Sequence, residues 1–95
     1  MKDKITKQKL DKYFSITGKA LAMCKDRLEH KRLMEAKDFL DMASRYYSDA
    51  GYFMKKGDYV LAFAALNYAH GWLDAGARIK LFNVHDSKLF TVDDE

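Results

Sequence analysis

Proline is absent from all 95 residues of this chain. A proline inside a helix removes a hydrogen-bond donor and its ring clashes with the preceding turn, so a chain without proline can form long uninterrupted helices. Linkers rich in glycine or serine, low-complexity tracts and internal repeats are missing as well. A chain of this length fits one domain. Together these observations predict an all-α fold built from a few long helices.

The first helix is predicted over residues 3–29, where apolar side chains recur at alternating steps of four and three. This stripe consists of Leu10, Phe14, Thr17, Leu21, Cys24 and Leu28. The same spacing continued onward would place Lys31, Arg32 and Glu35 on the apolar face. The helix is therefore expected to end near His30, although no glycine marks the turn.

Two further helices are predicted over residues 32–56 and 58–82. The first of these repeats the four-three spacing at Ala36, Leu40, Ala43, Tyr47, Ala50 and Met54. Gly57 suits the left-handed position that ends many helices, and Asp58 is a good N-cap for the helix that follows. The two helices are therefore expected to form a tight antiparallel hairpin, against which the first helix completes a three-helix bundle.

The third helix is predicted to be apolar around most of its circumference. One arc holds Leu61, Ala65, Ala69, Trp72, Leu73 and Ile79, and the adjoining arc holds Ala64, Tyr68, Gly71, Ala75 and Phe82. Two neighbouring helices cover only about one such arc, so we expect the remaining surface to bind a second copy of the chain. Gly71 and Gly76 each lower helix stability relative to alanine, which favours close approach of another helix there.

The bundle is expected to occupy residues 1–82 as a single domain, with residues 83–95 as a short C-terminal tail. The tail carries Leu89, Phe90 and Val92 and ends in three acidic residues. Its apolar side chains could dock onto the bundle, but a frayed terminus is the expectation because chain ends are usually poorly ordered.

Positive charge is concentrated in the N-terminal part of the chain. Residues 1–37 contain eleven Lys and Arg against five Asp and Glu, a net charge of +6, and residues 38–95 have a net charge of −3. A basic half could face nucleic acid or an acidic partner. We interpret it as the solvated side of one helix, because nucleic-acid-binding domains usually cluster their charge more densely. Nucleic acid is therefore not expected as a partner.

Cys24 is the single cysteine, so the chain cannot form an internal disulfide and has no cysteine–histidine ligand set for a metal. Its position on the apolar stripe predicts a small core residue. No apolar run follows the charged N-terminus, and none is long enough to span a bilayer. Neither a signal peptide nor a membrane helix is expected, and the expected location is the cytoplasm.

One polar cluster has helical spacing: Asn67, His70, Asp74 and Arg78, called here the polar band. Asp49 of the second helix could reach it across the hairpin. His70 and Asp74 could form an oriented base or supply two metal ligands, but two ligands are too few for a structural metal site. The band is therefore interpreted as a hydrogen-bonded polar edge or a binding site, with no catalytic residue, metal or cofactor expected.

Two stretches resemble a known family. One is Leu40-Asp41-Met42-Ala43 with Tyr46-Tyr47-Ser48-Asp49-Ala50, and the other is Lys56-Gly57-Asp58-Tyr59-Val60-Leu61-Ala62 with Tyr68-Ala69-His70-Gly71-Trp72-Leu73-Asp74-Ala75-Gly76. Over about residues 36–82 the chain resembles the archaeal small-protein family known as domain of unknown function 357. The resemblance implies an archaeal source and a short helical protein, and it supplies no catalytic residues.

The excess apolar surface of the third helix favours a protein–protein interaction module without catalytic activity. Such a module is expected to form a homodimer through that helix and could also dock an unidentified protein. The alternative is a nucleic-acid-associated accessory protein that uses the basic first helix. A third hypothesis is an enzyme that uses the face of His70 and Asp74.

Overall fold

The computed structural model describes residues 4–90 of the chain. Its helices are α1 (Lys7–Lys25), α2 (Leu33–Lys55) and α3 (Tyr59–Arg78), with a short 3-10 turn, His30–Arg32, directly before α2. Within the described residues, β pairing is limited to an isolated bridge between Leu28 and Phe82. The prediction of an all-α fold is therefore confirmed.

The first helix begins at Lys7. The predicted start at residue 3 lies outside the described residues, but the range from residue 4 to Thr6 is not helical. The side chain of Thr6 accepts a hydrogen bond from the backbone N–H of Lys9 at 3.1 Å. That cap fixes the start of the helix, because the first N–H groups of a helix have no partner within it.

The first helix also ends earlier than residue 29, at Lys25. The backbone beyond it pairs with the segment that follows α3. The N–H of Glu29 donates to the carbonyl oxygen of Leu81 at 2.8 Å. The N–H of Asn83 donates to the carbonyl oxygen of Arg27, also at 2.8 Å. The predicted continuation of the helix is wrong because these groups pair across the chain and not within a helix.

At the α2–α3 turn, the two residues that predicted a hairpin both have the expected geometry. Gly57 has a φ of +79°, in the left-handed region that glycine adopts without strain. The carboxylate of Asp58 accepts a hydrogen bond from the N–H of Leu61 at 3.1 Å and caps α3. The prediction of a hairpin of two closely packed helices is confirmed.

The third helix ends at Arg78, before the predicted end at residue 82. Lys80 has a φ of 66°, which places it in the left-handed region. The N–H of Leu81 donates to the carbonyl oxygen of Gly76 at 2.8 Å. This is the longer hydrogen bond of a Schellman motif, which satisfies carbonyl groups at a helix end. This motif was not predicted, because lysine occupies the position where glycine is usual.

Buried apolar side chains form two clusters. The cluster nearer the α2–α3 turn contains Leu10, Ala50, Ala62, Ala65 and Leu66. The cluster at the opposite end contains Ala20, Cys24, Ala36, Ala43, Leu73, Ala77, Leu81, Phe82, Val84 and Phe90. The third helix packs against both α1 and α2 and supplies residues to both clusters. It is accordingly the helix with the largest number of buried positions.

The segment after α3 belongs to the core. Val84 and Phe90 are each 2% exposed. The expectation of a frayed tail is therefore wrong for residues 83–90, whereas residues 91–95 lie outside the described part of the chain. The physical reason is the early end of α3, which leaves the following apolar side chains to cover the end of the bundle.

No described helix combines the length and the hydropathy needed to cross a lipid bilayer. The third helix has 20 residues, which is long enough, but it carries the polar band along one face.

Candidate functional site

The polar band of α3 is divided by burial. Asn67 and Arg78 are exposed, whereas His70 and Asp74 are half-buried. Steps of three and four residues keep the four side chains on one side of the helix. His70 and Asp74 face a cleft between α1 and α3, so the band forms the edge of that helix contact.

His70 uses both of its ring nitrogens within the chain. Its Nε2 lies 2.7 Å from the carbonyl oxygen of Leu89 and its Nδ1 lies 3.3 Å from Oγ1 of Thr17. A carbonyl oxygen only accepts hydrogen bonds, so Nε2 carries the proton and Nδ1 of the neutral ring accepts from the hydroxyl group. The ring also lies 6.3 Å from that of Phe90, at 23° to its plane. These contacts make His70 a structural link between α3, α1 and the C-terminal segment.

Asp49 and Asn67 have no such partners. Both are exposed, and within residues 4–90 neither side chain makes a hydrogen bond or an ion pair. Asp49 is one turn from Tyr46, whose ring stacks on Tyr68 at 4.3 Å. The contacts of His70 are instead on α1 and the C-terminal segment, so the structure does not bring Asp49 to the polar band.

The cleft beside the polar band has a volume of about 260 Å³. It is lined by Tyr13, Ile16, Thr17, Asn67, His70, Gly71 and Asp74. Among the described residues, no group of three His, Cys, Asp or Glu side chains is placed to hold a metal ion. The polar groups of the cleft can donate and accept hydrogen bonds, but the imidazole that would serve as a base is already bonded at both nitrogens.

Cys24 is completely buried in the core. Burial raises the pKa of its thiol to about 12, because an apolar environment disfavours the thiolate. The thiol is therefore protonated at neutral pH, and the attacking species of cysteine chemistry is not formed. Cys24 acts as a small apolar core residue.

The side of α3 opposite the core is mostly apolar, and its exposed polar residues are Asn67 and Arg78. We define the outer stripe as Val60, Ala64, Tyr68, Gly71, Ala75 and Ile79, all of them exposed. The exposed fraction is 62% for Val60, 55% for Tyr68 and 47% for Ile79, and Leu61 beside the stripe is 46% exposed. No exposed position of α3 before Arg78 carries a charge. By contrast, the exposed side of α1 carries Lys7, Lys9, Asp11, Lys12, Lys19 and Lys25.

A hollow of about 320 Å³ opens beside the middle of the outer stripe. Its walls are almost entirely apolar and consist of Phe39, Tyr68, Gly71, Trp72 and Ala75. The rings of Phe39 and Trp72 meet edge to face at 4.9 Å. Aromatic rings around a small apolar hollow are typical of a place where a partner inserts a side chain.

In the structure, several residues of the two predicted apolar arcs are buried within the chain and are not available to a partner. Ala65, Ala69 and Leu73 are buried within the chain, and so is Phe82. Gly76 faces the ring of Phe82, with which a Cβ atom would collide, so its close neighbour is a side chain of the same chain. The expected approach of another helix at Gly76 is therefore wrong. The contact between Gly76 and Phe82 could not be predicted from the sequence, because it depends on the position at which α3 ends.

Fold and site together define a small helical bundle with one apolar helix face that the described residues do not cover. The chain belongs to the family described as protein of unknown function (DUF357), whose model matches residues 12–82. The resemblance drawn from residues 36–82 is thus confirmed, and the match includes most of α1. Comparison with the curated proteins and with the solved structures gave no match.

Proposed function

We propose that this protein is a non-catalytic interaction module that self-associates through the outer stripe of α3. The observation that supports this best is a 20-residue helix that exposes apolar side chains at every turn and no charge before its last residue. A helix on a protein surface usually carries charged or polar residues opposite its buried face. A contiguous apolar face without them is typical of a surface that another protein covers.

The amount of apolar surface fits this role. Val60, Leu61, Tyr68 and Ile79 together expose on the order of 400 Å². At about 25 cal/mol per Å², burying this area on both chains of a dimer returns on the order of 20 kcal/mol. Association costs about 4–15 kcal/mol in lost translational and rotational freedom. The remainder is about 5–16 kcal/mol, a range that includes the roughly 8 kcal/mol of a dimer with micromolar affinity.

The other two hypotheses have less support. Catalysis by His70 and Asp74 would need a ring nitrogen of His70 that faces a substrate. Its Nε2 bonds a backbone carbonyl instead, and its Nδ1 faces the hydroxyl group of Thr17, a residue that is only 2% exposed. Binding of nucleic acid would need a dense basic surface, and on α1 Lys7 is paired with Asp11 at 3.3 Å. We also propose that the module works without a metal or cofactor. The location proposed for it is the cytoplasm.

A matched pair of lysine substitutions tests the proposal. Ala75 on the outer stripe and Ala22 on α1 are both exposed, and each precedes the last residue of its helix by the same distance. We expect Ala75→Lys to raise the dissociation constant of the dimer at least tenfold, because its ammonium group would be buried at the interface. Ala22→Lys should leave the constant unchanged.

Size-exclusion chromatography with light scattering measures the mass of both variants and of the parent chain at several concentrations. Circular dichroism confirms that all three have the same helix content. Equal association of Ala75→Lys and the parent chain would contradict the proposal.

A further inference from the structure

The outer stripe has almost the same order of side-chain sizes in both directions along α3. From Tyr68 the steps toward the N-terminus are four residues to Ala64 and four to Val60, and from Gly71 the steps toward the C-terminus are four to Ala75 and four to Ile79. Ala64 on one side corresponds to Ala75 on the other, and the β-branched Val60 corresponds to the β-branched Ile79. The central pair differs, because one member has a large ring and the other has no side chain.

We infer that the partner of the outer stripe is a second copy of the chain, whose α3 packs antiparallel to the first. The inference rests on the proposed function and adds the arrangement to it. A two-fold axis between Tyr68 and Gly71 would place Ala64 against Ala75 of the second copy. The same axis places Val60 against Ile79 of the second copy, so that every contact occurs twice.

Gly71 supplies the strongest reason for this register. Glycine within a helix is less favourable than alanine, and nothing inside the chain requires it. No atom of a neighbouring side chain or element lies within 4 Å of the place where a Cβ of Gly71 would be. The space above it continues into the aromatic hollow of about 320 Å³. In the antiparallel register the ring of Tyr68 of the second copy lies over Gly71 and fills this space.

The shape and the area of the stripe also suit a helix of the same kind. Val60, Ala64 and Tyr68 form one ridge at a spacing of four, and the other three residues form a second ridge at the same spacing. Two helices that cross at only about 20° keep their side chains in contact over several turns, as the contacts from Val60 to Ile79 require. A standard interface buries about 800 Å² on each partner, of which somewhat more than half is apolar. The exposed apolar area of this face, on the order of 400 Å², is close to that share.

Cross-linking between engineered cysteines tests the antiparallel arrangement. Ala64→Cys and Ala75→Cys variants are each treated with a short bismaleimide, separately and as an equimolar mixture, and Cys24 stays unreactive because it is completely buried. We expect the mixture to give a cross-linked pair at a yield several times that of either variant alone.

Two outcomes would overturn the arrangement. A parallel dimer would cross-link each variant to itself, and a dimer through another surface would sediment as a dimer without cross-linking at either cysteine. The parallel dimer would leave the proposed function standing while the antiparallel pairing failed, whereas a dimer through another surface would contradict both the pairing and the proposed role of the outer stripe. A chain that sediments as a monomer would overturn the proposed function and this inference together.

Alanine substitutions at two glycines provide a second test. Gly71 and Gly51 both lie inside helices, and an added Cβ has open space at each within the chain. We expect both Gly71→Ala and Gly51→Ala to raise the temperature of unfolding of the dilute chain, because alanine favours helix. Gly71→Ala alone should raise the dissociation constant of the dimer, by at least tenfold. An unchanged constant in Gly71→Ala would rule out close contact at this residue.

Discussion

His70 connects three parts of the molecule through one imidazole ring. Its Nε2–H donates to the carbonyl oxygen of Leu89, and its Nδ1 accepts from the hydroxyl group of Thr17. Thr17 is only 2% exposed, so water cannot readily replace the histidine as its partner. The side chain that most resembled a catalytic residue in the sequence therefore contributes to the stability of the fold.

The substitution His70→Ala is expected to lower the free energy of unfolding by about 1–3 kcal/mol, because it leaves the Leu89 carbonyl and the Thr17 hydroxyl without their partner. Asn67→Ala, on the same helix face, removes a side chain without a hydrogen bond in the described residues and should change stability by no more than about 0.5 kcal/mol. Urea unfolding followed by circular dichroism measures both. Equal losses in the two variants would contradict the structural role of His70.

The helical spacing of the polar band was predictable from the sequence, but the partners of its members were not. Thr17 belongs to another helix, 53 positions away in the chain, and Leu89 contributes a backbone oxygen that no side-chain pattern encodes. The same limit applies to Gly76, whose neighbour Phe82 is brought back by the turn after α3. Contacts of this kind depend on tertiary structure, which local spacing does not determine.

Among the helices, the ends marked by a typical capping residue, such as glycine after a helix or aspartate before one, were predicted correctly. The ends without such a residue were not. Gly57 and Asp58 mark the hairpin in the sequence, and both take the expected conformation or hydrogen bond. The end of α3 uses the same left-handed turn but has Lys80 in the place of the glycine. Gly57 and Lys80 therefore allow the stability of glycine and lysine to be compared at two positions with positive φ.

Exchange of the two residues gives opposite predictions. Lys80→Gly should raise the free energy of unfolding by about 0.5–1 kcal/mol, because glycine adopts positive φ without the steric cost that lysine bears. Gly57→Lys should lower it by a similar amount, since its φ of +79° is in the same region and no atom obstructs a Cβ there. Thermal and urea unfolding of the two variants and the parent chain measure these changes in the free energy of unfolding. A loss of stability in Lys80→Gly would show that the lysine side chain contributes an interaction there.

In the molecule as a whole, the core is closed at one end by the segment after α3, whereas the outer stripe on the other side of α3 is left uncovered by the described residues. The segment after α3 buries Val84 and Phe90, a closure that the sequence pattern did not predict because it depends on where α3 ends. The excess of apolar surface on α3 did follow from the sequence, since it required only a count of apolar positions around the helix. Which of those positions remain exposed became clear only with the packing of α1 and α2.

Sedimentation equilibrium of the unmodified chain measures the proposed self-association through the outer stripe without any substitution or label. The monomer has a mass of 11.0 kDa. With chain concentrations from low to high micromolar, the weight-average mass is predicted to rise from near the monomer value to twice that value and to stop there, because a two-fold interface closes on itself. A mass that remains at the monomer value over the whole range would contradict the claim.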